Sequence, residues 1–173
     1  WLLDQLGNRF VLLAFADHLA ARWREPVLRQ PVLIIESDDW GAGPLAQAEA
    51  LIRLSALLQG IRDVSGRPAI MTLGVILEVP DGARIAASGG AAYHALTLAD
   101  SRFATVRTAM LAGIQAGVLV PQLHGQSHYW PAAILAAAQT DSDVRSWLLS
   151  PEPASTETLP PYLQTRWVDA AHL

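Results

Sequence analysis

The sequence predicts an α/β protein whose strands run parallel, and three observations predict it. Three aliphatic stretches, Val32–Ile35, Ala69–Leu77 and Val118–Leu123, alternate with segments of helical spacing. Continuous apolar runs of this kind read as strands buried on both faces, as in a parallel sheet. The order strand, helix, strand, helix, strand, helix is that of right-handed βαβ units. Finally, chemistry-bearing clusters follow directly on two of the runs. These are Glu36-Ser37-Asp38-Asp39-Trp40-Gly41 after the first and His124-Gly125-Gln126-Ser127-His128 after the third. Both should open on the carboxyl edge of one sheet, where α/β proteins gather their functional groups.

The elements can be justified in order. In residues 1–30, Leu2, Leu3, Leu6, Phe10, Leu13, Phe15 and Leu19 recur at helical spacing up to about Trp23, with Gly7 weakening the pattern. Pro26 and Pro31 bracket a connection to residues 31–149, the expected α/β domain. After the first strand, Pro44 suits the first turn of a helix. Leu51, Leu54, Leu58 and Ile61 share one face, with Leu57 flanking. Ser65-Gly66-Arg67-Pro68 stops that helix, and the second strand follows. Residues 81–100, rich in Gly, Ala and Ser, read as a long loop with at most a short helix. Ser101 then caps a helix running to Ala116, with Phe103, Val106, Met110 and Ile114 inward. Gly117 ends it and leads into the third strand. Pro131 opens a helix to about Gln139, and a short helical piece spans about 142–149. Residues 150–173 hold Pro151, Pro153, Pro160 and Pro161 among Ser and Thr, and read as an extended segment leading toward further strands.

Composition narrows the function classes. The 173 residues suffice for one domain with a sizeable core. The formal charge is −4 and all 12 basic residues are arginine, with no basic stripe, so nucleic acid is excluded as an expected partner. There is no cysteine, so any metal must take His, Asp or Glu. The apolar stretch Phe10–Ala21 is interrupted by Asp17 and His18 and is too short to span a bilayer. No signal-peptide pattern is visible, which leans the expectation toward the cytoplasm. Oligomeric state leaves no trace in the sequence.

Neutral imidazoles are the usual nitrogen ligands of zinc and related ions. His124 and His128 can converge on one point from a tight loop; the bland alternative is two ordinary loop histidines. Asp38 and Asp39 repel one another, so a cation should stand near them, unless they are merely solvated or capping acids. Together, one carboxylate and two imidazoles give three protein ligands and leave positions open, which is the pattern of a catalytic rather than a structural metal site. Adjacent side chains on a strand end point different ways, so one acid could bind metal while the other serves as general base.

Ser37-Asp38-Asp39-Trp40-Gly41 resembles the first motif of the polysaccharide deacetylase superfamily, and His124-Gly125-Gln126-Ser127-His128 resembles its second. The longer wording, with Pro121-Gln122-Leu123 before His124, is similar to a bacterial deacetylase-like branch. The resemblance covers about residues 31–131. It implies a parallel-stranded β/α barrel of the glycoside hydrolase/deacetylase type, with this chain supplying its first half. It implies a hydrolase that removes acetyl groups from an N- or O-acetylated carbohydrate. Asp38 would be the general base. Asp39, His124 and His128 would hold a divalent metal, zinc first, with cobalt, nickel or manganese as alternatives. Trp40, Tyr129 and Trp130 are candidate substrate-stacking rings, each with packing as its alternative. Glu36 is a candidate hydrogen-bond acceptor supporting His124 or His128, with a surface or capping role as its alternative, and His94 is either a cleft residue or an ordinary loop histidine. Two features depart from the pattern. Tyr129-Trp130 intervene before Pro131, where the family continues His-Pro. The family's later Arg and His have no clear match, since Arg166, Trp167 and His172 lie in the Pro-rich tail. The competing readings are a non-catalytic carbohydrate-binding or scaffold relative and a metal-free glycosidase, the latter disfavoured by the histidine pair.

Overall fold

The computed structural model of the chain describes residues 31–153, 158, 159 and 161. The chain divides into two compact units, Trp1–Ile34 and Ile35–Leu173. The helix expected over Leu2–Trp23, with His18, and the tail residues Arg166, Trp167 and His172 lie outside the described residues.

The second unit is mixed α/β and is built on a three-stranded parallel sheet in the order β1-β2-β5, where β1 is Glu36–Gly41, β2 is Met71–Ile76 and β5 is Leu119–Gly125. The right-handed βαβ logic of the sequence yields this order. α1 (Gln47–Gly60) connects β1 to β2, and α3 (Ala104–Gln115) precedes β5. Both helices supply the core on one sheet face. Leu51 and Leu58 of α1 and Val106, Ala109 and Met110 of α3 pack on Met71, Leu73, Val75 and Leu119. The predicted inward residues of α1 divide, because Leu51 and Leu58 are buried while Ile61, just past the helix end, is 50% exposed. By strand alternation the opposite face carries Thr72, Gly74, Val120 and Gln122.

The first strand is displaced from its expected position. Val32, Leu33 and Ile34 are 62%, 84% and 72% exposed and lie before β1, so the buried run predicted there is corrected. The acids themselves form the strand. A β-branched run satisfies strand propensity but cannot choose the register. Here Thr72 N–H bonds the carbonyl of Ile35, and pairing then runs Glu36 to Thr72 and Ser37 to Leu73. The consequence is that Asp38 and Asp39 stand on the sheet rather than in a loop beyond it. His124 likewise lies within β5, and His128 in the loop after it.

The segment expected as a loop holds more structure than its composition predicts. β3 (Glu78–Pro80) pairs antiparallel with β4 (Ala95–Thr97), and α2 (Gly82–Ala87) lies between them. Asp81 starts α2 by accepting from the Arg84 N–H, and Arg102 reaches the same carboxylate at 3.3 Å. Ser101 is not the cap expected. It begins a 3-10 turn, Ser101–Phe103, and the side chain of Asp100 accepts from the Arg102 N–H in its place. α4 (Pro131–Ala137) and α5 (Ser142–Leu148) close a second core of Ile85, Tyr129, Ile134, Val144, Trp147 and Leu148. Thr158 and Leu159 dock there, and the Trp147 indole N–H donates to Thr158 Oγ1 at 2.9 Å. No barrel is closed by the described strands, and among the described residues no helix is long and apolar enough to cross a membrane.

Two outcomes follow from this packing. Leu73 is fully buried at the centre of the sheet, so Leu73→Ala should cost roughly 2–5 kcal/mol in urea unfolding; a loss under about 1 kcal/mol would contradict the core assignment. Burial, assisted by neighbouring Glu78, holds the Tyr93 phenol above its ordinary range, and burial raises Tyr129 further. A folded-state pKa above the unfolded value means stability is intact below about pH 10 and falls as pH rises past it. Denaturation midpoints should therefore be level from pH 7 to 9 and decline above about 10, and Tyr129→Phe should make that decline shallower.

Candidate functional site

The site begins with a register fault in β1. Ser37 pairs with Leu73 and Trp40 with Val75, so Asp38 and Asp39 together oppose Gly74. Two residues facing one is a β-bulge, a device that re-aims side chains and is frequent beside functional sites. Asp39 adopts φ 66°, and it is the only non-glycine residue with positive φ among the described residues. That conformation costs about 1–2 kcal/mol for an L-residue, somewhat less for Asp. It lets two adjacent carboxylates avoid the strict up-down alternation of a strand.

Three neighbours hold the bulge. Gly74 gives Asp38 room, because a Cβ there would stand 2.3 Å from Asp38 Oδ1. Gly41, at φ 109°, lies so close to the carbonyl of Ile76 that a Cβ would sit 2.6 Å from it. Gln47, the first residue of α1, reaches back over the motif. Its Oε1 accepts from the Gly41 N–H at 2.9 Å, and its Nε2 donates to the Asp39 carbonyl at 3.2 Å. The side-chain amide thus satisfies two backbone groups of the bulged segment.

The two clusters meet. Asp39 Oδ1 lies 3.1 Å from His128 Nε2 and 3.6 Å from His124 Nε2. The imidazole centroids are 5.5 Å apart and tilted by 32°. Ligand atoms from Asp39, His124 and His128 all lie within 4.8 Å of one another. Asp39 Oδ1 is buried and receives no hydrogen bond. A buried carboxylate oxygen without a donor is costly, and one faced by two imidazole nitrogens favours a cation among them. Tetrahedral coordination at about 2.1 Å spaces ligands about 3.4 Å apart, a value that lies between the two distances to Asp39. The donor set and spacing therefore fit a divalent ion.

The other predicted residues divide. Asp38, 63% exposed, has Oδ1 3.9 Å from His124 Nδ1, so both acids flank the same ring. Glu36 is exposed at the start of β1, opposite Thr72, two residues before the acids, in keeping with its surface alternative. Trp40 packs against the helical core, and its indole N–H donates to Ser37 Oγ at 3.0 Å. Tyr129 is 3% exposed, edge-on to Trp147 with its hydroxyl 3.4 Å from that of Tyr93. A ring so enclosed has no open face for a sugar, so Tyr129 takes the packing role. Trp130 is 63% exposed at the start of α4 and does present a face. The carbonyl of His94 accepts from the Asp81 N–H beside β4, and His94 is not a member of the Asp39–His124–His128 group.

Sequence reasoning missed Gln47, Gly74 and Glu78. A glycine inside an aliphatic strand was the available signal for Gly74, since such glycines mark close approaches. Gln47 looked like one more residue of an Ala-rich helix. Comparison with known proteins finds no matching family model, no matching curated protein and no matching solved structure.

Gln47→Ala removes a donor and an acceptor from the bulge, and should lower stability by about 1–3 kcal/mol in chemical denaturation. Gln47→Glu keeps only the acceptor for Gly41 and should fall between. Equal stability of all three would mean that the amide does not hold the motif.

Proposed function

We propose that this chain is a metal-dependent hydrolase that removes acetyl groups from an N- or O-acetylated carbohydrate. The observation that carries the reading is the convergence of Asp39, His124 and His128 on one point at the carboxyl edge of a parallel sheet, with a buried Asp39 oxygen that lacks a donor. Its wording also resembles the two motifs of the polysaccharide deacetylases, and the three parallel strands are read as the opening part of that family's β/α barrel.

In this reading Asp39, His124 and His128 hold the ion, zinc by the resemblance, although cobalt, nickel or manganese suit the same donors. When bound, the ion supplies a Lewis acid for an acyl oxygen and an acidified water. Asp38, exposed beside the ligands, takes the proton of the attacking water as general base. Water adds to the acetyl carbonyl carbon, the C–N or C–O bond breaks as the proton held by Asp38 passes to the departing nitrogen or oxygen, and acetate leaves a free amine or hydroxyl on the sugar. Trp130 offers the exposed ring for a sugar face to stack on.

One observation favours a second reading, a non-catalytic carbohydrate-binding or scaffold relative that retains the metal. Asp38 stands closest to the Nδ1 edge of His124, as a carboxylate that orients a ligand ring would. Acetate release from acetylated chito-oligosaccharides or acetyl-xylan separates the two. Asp38→Asn should lower turnover by about 10²–10⁴-fold, the usual worth of a general base, with the metal retained. Turnover that survives the change removes Asp38 from the base role. Metal binding without acetate release from either substrate favours the second reading.

A further inference from the structure

We propose that Glu78 is a positioning residue for the Asp39–His124–His128 centre, acting by locking the loop that delivers His128; the inference rests on the metal-binding reading above and deepens it. Glu78 is 9% exposed, one of the few buried acids among the described residues. No arginine, lysine or histidine pairs with it among those residues. A carboxylate is rarely buried without a cationic partner unless several donors satisfy it.

Both donors come from the segment between the two histidines. Gln126 Nε2 donates to Glu78 Oε2 at 3.0 Å, and Ser127 Oγ donates to Oε1 at 2.8 Å. The backbone repeats the link, since the Glu78 N–H donates to the Gln126 carbonyl at 2.8 Å and the Leu77 N–H to the same carbonyl at 3.1 Å. His124 is fixed by β5, but residues 126–130 have no regular structure of their own. Gln126 and Ser127 lead the chain from β5 to His128, so what holds them helps to set the backbone that carries this ring. Glu78 holds both at once, from the start of β3, which directly follows the central strand.

Glu78 also borders the site. Glu78, Asp39, His128 and Tyr129 line one cavity of about 10 Å³, room for about one water-sized sphere. A second acid beside Asp39 raises the attraction of this cavity for a bound cation. Groups outside the ligand set that fix the position of a metal ligand are typically worth about 10–100-fold in metal affinity, and Glu78 does so one step removed, through Gln126 and Ser127.

The test is zinc affinity, measured by competition against a chromophoric chelator on the full chain. The apo melting temperature and far-UV circular dichroism are recorded alongside, and the cobalt-substituted absorption spectrum reports ligand geometry. Glu78→Ala should weaken zinc binding about 10–100-fold and alter the cobalt spectrum, while Glu78→Gln, which keeps an acceptor for Ser127, should recover much of the loss. If Glu78→Ala does not fold, the Gln126→Leu/Ser127→Ala double variant removes the same two bonds from the other side and should show the same loss. Variants with lower melting temperatures but wild-type zinc affinity and cobalt spectrum would show Glu78 to be purely structural and overturn the proposal while leaving the metal site standing. A wild-type chain that binds no zinc would overturn both, and the wild-type titration alone tells the two failures apart.

Discussion

The arrangement depends on one local distortion, the bulge at Asp38–Asp39. A regular strand would send the two carboxylates to opposite faces, one into the helical core and one to the open side. The core face already holds Leu73 and Val75 under two helices, and a charge there would be costly to bury. Placing Asp39 in the left-handed region and giving it no residue of its own to face on β2 resolves the conflict. Both acids then reach the imidazole of His124 from different sides.

Such a distortion persists only where its surroundings over-determine it. Here the determinants come from three elements. β2 contributes the missing side chain of Gly74 and the carbonyl that excludes a side chain at Gly41. α1 contributes the amide of Gln47. The loop after β5, which carries the second histidine, is tied to β3 through Glu78. The buried central strand is thus the common reference for every group in the site. That is why the core and the candidate chemistry cannot be separated in this small sheet.

Much of this was legible in the sequence, and the failures have physical causes. Alternating apolar runs and helical spacing gave the parallel sheet and the helices between its strands. The two clusters announced themselves because paired acids and paired histidines directly after apolar runs are hard to explain as packing. The start of β1 was misplaced because Val32–Ile35 has strand propensity, whereas register is decided by partners on β2 that lie far along the chain. Glu36 was weighed as a histidine support because it stands at the strand end with the two acids; the carboxylate that bonds the histidine loop is Glu78, which follows β2 directly. Tyr129 adjoins His128 in sequence yet packs into the second core, because that core needed a large ring against Trp147. Short strands such as β4 left no periodic signal, since three residues cannot show alternation.

The claim beneath the whole account is that Asp39, His124 and His128 share one cation. Crystals grown with cobalt and measured on both sides of its absorption edge test this directly. The account predicts a single anomalous peak within about 2.0–2.2 Å of an oxygen of Asp39 and of one nitrogen from each imidazole. A well-ordered site with no peak there, or with the metal bound elsewhere on the chain, would contradict it.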